Sequence, residues 1–412
     1  MERLSSLQSI LLVLYAVSLP LSITASWIIL TCGLVVWLLL CLREPERVSR
    51  LRRAPLLLPT AAFAAAVCLS GFINGGPVEA GSSLLALRQL TVYFWAYSSF
   101  IIEPDLRLRC IQPLLLVGAV AGLWGAVQQL TGFHPFGYPY LQGTGFLAGP
   151  MAFAGQMQAL GFLALGLLAG GGYTSLQFGF GRLALFLPVV VANLAGILFA
   201  CERSAWLGAL VGVLVLAVAM SWRQLARCVV ILMVISALAW LTVPAVKTRL
   251  QPIMTGQEDV SIQVRLFLWQ EATEICRDNP IAGVGIRRFP HFDIPEAIVP
   301  GRSIDINHAH SNYLHILATT GTIGFLSFIW IWLAALITAW RTYKAGFNAG
   351  LSTQRRFDAA TALGILGGVV SLAVAGIFEY NFGTSQVKLL EWFVLALLAP
   401  VPRHQAEVGE KS

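Results

Sequence analysis

Charge is what this sequence has least of: Asp, Glu, Lys and Arg make up 11% of its 412 residues, where a soluble domain carries about 25%. An ordinary water-soluble globule is therefore excluded. The seven cysteines include no CxxC pair and fall inside or at the ends of apolar runs, so a disulfide framework is not expected. Also missing are the alternating segments of about 10 residues that mark a membrane β-barrel. No repeat recurs at a period of about 20–50 residues, and no low-complexity segment occurs beyond the polar tail after Arg403.

What is present in quantity is apolar sequence, at 57% hydrophobic residues and a mean hydropathy of +0.75. Runs of about 17–22 residues recur along the chain, each long enough as a helix to cross a hydrocarbon core of about 30 Å. They fall near 7–23, 26–42, 55–73, 84–102, 110–130, 149–170, 183–201, 204–221, 228–245, 322–340, 359–378 and 386–400. The first is read as a span and not a signal peptide, because a second apolar run follows it directly. The prediction is an all-α, polytopic integral membrane protein of about twelve transmembrane helices with one long helical loop. Residues 1–245 hold helices one to nine, 246–310 the loop, 311–402 helices ten to twelve, and 403–412 a tail.

Basic residues orient this arrangement. With the N-terminus cytoplasmic, the inner segments hold Arg3, the cluster from Arg43 to Arg53, Arg107, Arg109, Arg182, Arg223, Arg227, Arg341, Lys344, Arg355, Arg356, Arg403 and Lys411, most of the 27 basic residues. The short outer segments hold only Arg88, Arg203 and Lys388. The positive-inside rule then puts both termini in the cytoplasm and the long loop outside. A reporter fused after residue 270 is expected on the outer side and one fused after Lys344 in the cytoplasm. Both on the same side would remove the span between them.

The one long polar interval, Val260–Gly324, carries Arg265, Arg287, Arg288 and Arg302 and four of the six histidines, His291, His308, His310 and His315. Ser261 to Asp278 reads as an amphipathic helix, capped by Asp259 or Ser261 and ended by Asn279-Pro280. Arg265, Trp269, Ala272 and Cys276 recur at helical spacing on one face, so Arg265 is expected to point with the apolar stripe toward the membrane domain. An arginine at a span end is ordinarily a snorkelling anchor. Arg203 and Arg88 fit that less well, since both lie on the face where basic residues are rare, and ionisable groups bordering a span are candidate site residues. Pairing of Arg203 with Glu202 is the structural alternative.

Several guanidinium forks and no acidic cage suit a diphosphate bound without a metal. The carboxylate pairs Glu44/Glu46 and Glu103/Asp105 fall on the predicted cytoplasmic side. A zinc site on His308, His310 and His315 lacks a carboxylate at helical spacing to complete it. Neither a metal nor a cofactor is expected.

His310-Ser311 followed after nine residues by Gly321-Thr322-Ile323-Gly324 resembles the histidine and glycine signature of the bacterial O-antigen ligase and polymerase superfamily. Arg265-x-x-x-Trp269 and Asn279-Pro280-x-x-Gly283-x-Gly285-x-x-x-Phe289 are also similar to that family, and the likeness is dense over about residues 200–340. Within the superfamily the chain is most similar to the ligases, because polymerases usually carry two substantial outer loops with arginine motifs. Here the segment from Thr131 to Ala148 is short and has no arginine or lysine.

The resemblance implies a glycosyltransferase in the bacterial inner membrane, moving O-antigen polysaccharide from undecaprenyl diphosphate to the lipid A-core on the periplasmic side, metal-independent and inverting. Membrane lipids are partners and nucleic acid is not. Arg265 and Arg288 are then expected on the diphosphate and His310 on the acceptor hydroxyl as base or orienting group, since an imidazole suits proton transfer at neutral pH. Arg203, Arg88, Arg287, His308, Trp269 and Ser311 are expected to contribute to substrate binding. The plain alternative for His310 is a residue of the cap region of the tenth span. An O-antigen polymerase or a protein O-oligosaccharyltransferase shares the histidine motif. A transporter or flippase of anionic lipids, a different class, would also use intramembrane arginines but usually shows pseudo-repeats in both halves.

Overall fold

The computed structural model describes residues 2–135, 142–176, 183–256, 259–301, 303–346 and 352–400. Arg182, Arg302, Arg403, Lys411 and the tail at 403–412 lie outside the described residues. Among the described residues the chain is all-α apart from one two-stranded ribbon. Its helices are α1 (Glu2–Ser18), α2 (Ile23–Arg43), α3 (Pro45–Leu51), α4 (Leu57–Leu85), α5 (Leu90–Ile102), α6 (Asp105–Thr131), α7 (Pro150–Ala169) and α8 (Leu183–Phe199). They continue as α9 (Arg203–Met220), α10 (Trp222–Thr242), α11 (Pro244–Thr255), α12 (Val260–Asp278), α13 (Asn312–Gly346), α14 (Thr353–Ala375) and α15 (Ser385–Ala396). Strands β1 (Phe292–Asp293) and β2 (Asp305–Ile306) pair antiparallel, Phe292 opposite Ile306.

Each of the twelve predicted spans falls on a helix. Eight of those described, α2, α4, α6, α7, α9, α10, α13 and α14, are long and apolar enough to cross a membrane, which makes the chain a polytopic membrane protein. The other four are shorter. At about 1.5 Å per residue the 12-residue α15 rises only about 18 Å, less than a hydrocarbon core. α14 and α7 form the centre of the bundle and are buried along most of their length. Small residues allow it: Gly166 of α7 and Gly170 just after its end lie against Ala360 and Gly364 of α14 with no room for a side chain.

Local chemistry sets the breaks. Ser22 accepts from the Ala25 amide at 3.3 Å to start α2, and Asp259 accepts from the Ile262 amide at 3.2 Å to start α12. Proline opens α7 and α11 at the first turn. Two long helices are interrupted by glycine: α4 at Gly75 and Gly76, and α13 at Gly321. Both interruptions face the polar interval and help to build the site.

Candidate active site

The predicted amphipathic helix is α12, whose Leu268 packs with Ile294 and Val299 of the loop and whose Ala272 packs with Phe289, Ala309 and Ala318, while Trp269 meets the turn that follows α14. Leu268 and Ala272 are fully buried, and the Trp269 ring lies 6.1 Å from that of Phe378. This docking carries Arg265 inward. Its Nε donates to the Phe378 carbonyl at 2.9 Å, Nη1 to the Ser261 carbonyl at 3.0 Å and to Ser261 Oγ, and Nη2 to Glu379 Oε1. All three nitrogens are thus engaged within the protein.

Glu379, whose side chain is 3% exposed, also faces His310: Oε2 lies 3.2 Å from His310 Nδ1. One carboxylate therefore holds the arginine of α12 and the histidine that precedes α13. Burial alone would raise the Glu379 carboxyl; the hydrogen bond from His310 and the charge of Arg265 outweigh it and hold the group below the ordinary carboxylate range. An ionised Glu379 can only accept, so His310 Nδ1 carries the proton, and in the neutral ring Nε2 is a free acceptor. His310 adopts a left-handed backbone, φ +44°, which turns the chain sharply before the helix.

Asn312 fixes the two segments against each other. Its amide donates to the Gly376 carbonyl at 2.7 Å, its side-chain Nδ2 to Asn381 Oδ1 at 2.6 Å, and its Oδ1 accepts from the Phe382 amide at 2.9 Å. Ser311 Oγ accepts from the Leu314 amide at 3.4 Å, so that hydroxyl serves the start of α13. Tyr380 packs against two imidazoles, with ring centroids 5.9 Å from His308 and 3.8 Å from His315. His308 also lies 4.4 Å from His310. Burial first, then the neighbouring His310, push His308 down to about 4 against the pull of Glu379, leaving it neutral at physiological pH.

The glycine motifs that looked like family signatures have a physical reason in the Gly321 break. In a continuous helix the carbonyls of Ala318 and Thr319 would accept from residues 322 and 323. Here they accept from the Val284 and Gly285 amides at 3.0 and 2.8 Å. The freed Thr322 and Ile323 amides donate instead to the carbonyls of Pro280 and Ile281, at 2.9 and 3.5 Å. The loop has been spliced into the helix, and each of these four displaced backbone groups finds a partner. The fit needs bare backbone on both sides, since a Cβ on Gly283 would meet Thr319 and Thr320, and one on Gly321 would meet Ile281. α4 joins the splice through Ser70 Oγ, which donates to the Thr319 carbonyl at 3.1 Å, and Asn74 Nδ2, which donates to the Gly283 carbonyl at 2.9 Å.

The structure thus brings Arg265, Trp269, His308, His310 and Ser311 to one place, and the remaining predicted residues to others. Arg203 pairs with Asp259 through two bonds, 2.5 and 3.2 Å, not with the neighbouring Glu202. The reason is direction: Asp259 caps α12 beside the start of α9, whereas Glu202 takes Gln142 Nε2 at 3.4 Å. Hydrogen bonding to Arg203 is the main cause that lowers the Asp259 carboxyl. Glu202 is pushed up to about 7, first by burial and then by the charge of Glu379, against Arg249 and Arg265. Arg88 lies over the Trp27 ring, 4.5 Å from its centroid. Arg288 is exposed and donates to the Asn74 carbonyl, and Arg287 is exposed beside it. Neither Arg88, Arg287 nor Arg288 forms an ion pair among the described residues. The described residues hold no group of three or more His, Cys, Asp or Glu side chains placed for a metal.

Sequence reasoning missed Glu379, Tyr380 and Asn312. A signal for the first was present: Glu379 is an acid bordering the eleventh predicted span on the outer side, and the rule that singled out Arg88 and Arg203 applies to carboxylates as well. No curated protein matches the sequence at a significant level. A family model described as O-antigen ligase does match, over residues 188–329, which takes in Arg203, Arg265, Arg288, His310 and the Gly321 splice and ends before Glu379. From within α8 to the middle of α13, the chain is thus similar to the O-antigen ligase family model.

Proposed function

We propose that the protein is an O-antigen ligase, transferring polysaccharide from undecaprenyl diphosphate to the lipid A-core at the periplasmic face of the inner membrane, with both termini in the cytoplasm. The observation that carries the reading is the bridge from Arg265 through Glu379 to His310. A carboxylate on Nδ1 selects the tautomer with its lone pair on Nε2 and orients the ring, as general-base catalysis requires. His310 Nε2 takes the proton of the acceptor hydroxyl as its oxygen bonds to the anomeric carbon of the donor sugar. The bond from that carbon to the diphosphate breaks, the lipid diphosphate leaves with the electron pair, and the anomeric centre inverts.

In this reading Arg265 acts mainly through Glu379, keeping it ionised and in place, and Arg203 acts through Asp259 by anchoring α12. Arg88, Arg287 and Arg288 remain for the charge that develops on the diphosphate. His308, neutral beside His310, adds no competing positive charge. Trp269 and Ser311 hold α12 and α13 around the site.

The test is reconstitution of the purified protein with a lipid diphosphate-linked glycan and rough lipopolysaccharide. Glycan on the lipopolysaccharide is the expected product. Elongation of the donor alone would make the protein a polymerase, transfer to a protein acceptor an oligosaccharyltransferase, and movement of lipid without bond formation a transporter.

A further inference from the structure

Glu202 lies level with Glu379, yet the bridge from Arg265 to His310 does not use it. α9 and α14 run antiparallel in close contact, with Gly208 against Ser371 and Gly212 against Gly367. Four residues along one helix answer to four along the other. Residue 202, about 9 Å of helical rise before Gly208, therefore comes opposite the turn that follows α14, where Glu379 lies. Hydrogen bonds give the same placement from the other side. Arg203, the next residue, holds Asp259 at the start of α12, and Arg265 two turns on pairs with Glu379.

The backbone aims Glu202 at an energetic cost. Cys201, just before it, has φ +52°, and among the described residues only His310 is the other non-glycine with a left-handed backbone. Glu202 stands at the N-cap of α9, but its side chain does not cap the helix. It turns instead to Gln142, whose Nε2 donates to Oε1 at 3.4 Å, its one hydrogen bond among the described residues. No described cation comes within ion-pair distance, neither Arg203 beside it nor Arg249. A carboxylate offers about four acceptor positions, and this one is partly buried. Burial and the like charge of Glu379 push it up to about 7 against Arg249 and Arg265, as befits an acid short of partners. Leaving its oxygens unfilled is costly unless donors arrive from outside the protein.

The surroundings select those donors. A further cation would meet Arg203, Arg249 and Arg265, and Glu379 is already committed to Arg265 and His310. Neutral hydroxyls meet no such repulsion. The Gln142 amide beside the carboxylate adds an acceptor and a second N–H, so the two side chains together suit adjacent hydroxyls on one ring. We infer that Glu202, with Gln142 beside it, is a specificity-determining residue that accepts hydrogen bonds from hydroxyls of the sugar held at the reacting centre. The inference rests on the ligase reading for the presence of a sugar. It adds the group that discriminates among sugars, because a site arranged around a hydroxyl rejects an analogue that lacks it.

The test compares lipids with and without their glycan, bound to the full-length protein in phosphatidylcholine nanodiscs. One pair is lipid diphosphate-linked glycan against bare undecaprenyl diphosphate, and the other is rough lipopolysaccharide against lipid A. Glu202→Ala is expected to weaken binding of the glycan-bearing member of at least one pair by roughly 10–100-fold, the range for losing a charged hydrogen bond. The bare member should stay within about twofold. Glu202→Gln, which keeps one acceptor oxygen, should lose less. The pair that responds says whether the sugar belongs to the donor, the acceptor or both. Equal weakening of bare and glycan-bearing lipids would make Glu202 a support for the contact between α9 and α12 and overturn the inference. Unchanged affinity in folded Glu202→Ala, or a glycan that adds nothing to binding in the parent protein, overturns it as well. Because the readout is binding, a protein that transfers no glycan yet recognises it through Glu202 would refute the ligase reading and leave this inference standing.

Discussion

His310→Asn is expected to lower the single-turnover transfer rate by roughly 10²–10⁴-fold, the usual contribution of a positioned general base, with donor affinity nearly unchanged. Asparagine is the better probe than alanine for two reasons. The position has φ +44°, a backbone that asparagine tolerates and alanine resists. Its side-chain amide can also donate to Glu379 Oε2 in place of Nδ1, so the buried carboxylate keeps its partners and only the basic Nε2 is lost. His310→Ala removes the base as well but leaves Glu379 one hydrogen bond short, so a loss larger than that of His310→Asn measures positioning in addition to proton transfer. The measurements are donor-lipid affinity and single-turnover rate in nanodiscs. Loss of donor binding in folded His310→Asn would move the histidine to the diphosphate and reverse the roles proposed for His310 and the arginines.

The pairing that separates His310 and the arginines into different roles is the part of the site least legible in the sequence. The spans, the amphipathic helix with its Asp259 cap, and the inward face carrying Arg265 follow from periodicity and capping residues, which act over a few positions and are written locally. The partner that receives Arg265 is not: Glu379 lies 114 residues away, and Asp259, which takes Arg203, is 56 residues from it. Charge pairing across such separations is decided by which helices pack together, and hydropathy is silent on that. The arginines therefore looked equivalent when counted as cations. In the fold, two are paired with carboxylates, while Arg88, Arg287 and Arg288 form no ion pair among the described residues. The glycine signature was legible as a pattern yet not as a mechanism, because a splice of loop into helix needs both strands of backbone to be seen together.

The splice makes the second large expected effect, that of Gly321→Ala. Gly321 has φ +65° and ψ −171°, a region that residues with a Cβ essentially do not occupy, at a strain of order 1–3 kcal/mol. The added methyl would also be driven into the Ile281 backbone, so the cost cannot be relieved by moving a flexible side chain. Either the loop lifts away or the helix straightens, and both break the four hydrogen bonds in which the Pro280 and Ile281 carbonyls accept from α13 and the Val284 and Gly285 amides donate to it. These bonds hold the segment leading to Arg288 on one side and the start of α13 with His310 on the other. Gly321→Ala is accordingly expected to lower transfer by at least about tenfold, the equivalent of about 1.4 kcal/mol of positioning, and to open residues 279–311 to limited proteolysis. Gly256→Ala is the matched control. It has nearly the same φ, +65°, but ψ +18°, and no atom lies within 4 Å of the added Cβ, so it carries only the left-handed backbone cost of about 1–2 kcal/mol at a helix end. Transfer and protease resistance in that variant should stay within about a factor of three of the parent, a difference of less than about 1 kcal/mol at the site. If Gly321→Ala matches Gly256→Ala in both measurements, the loop is held by side-chain packing under α12 and the glycine splice does not position the site.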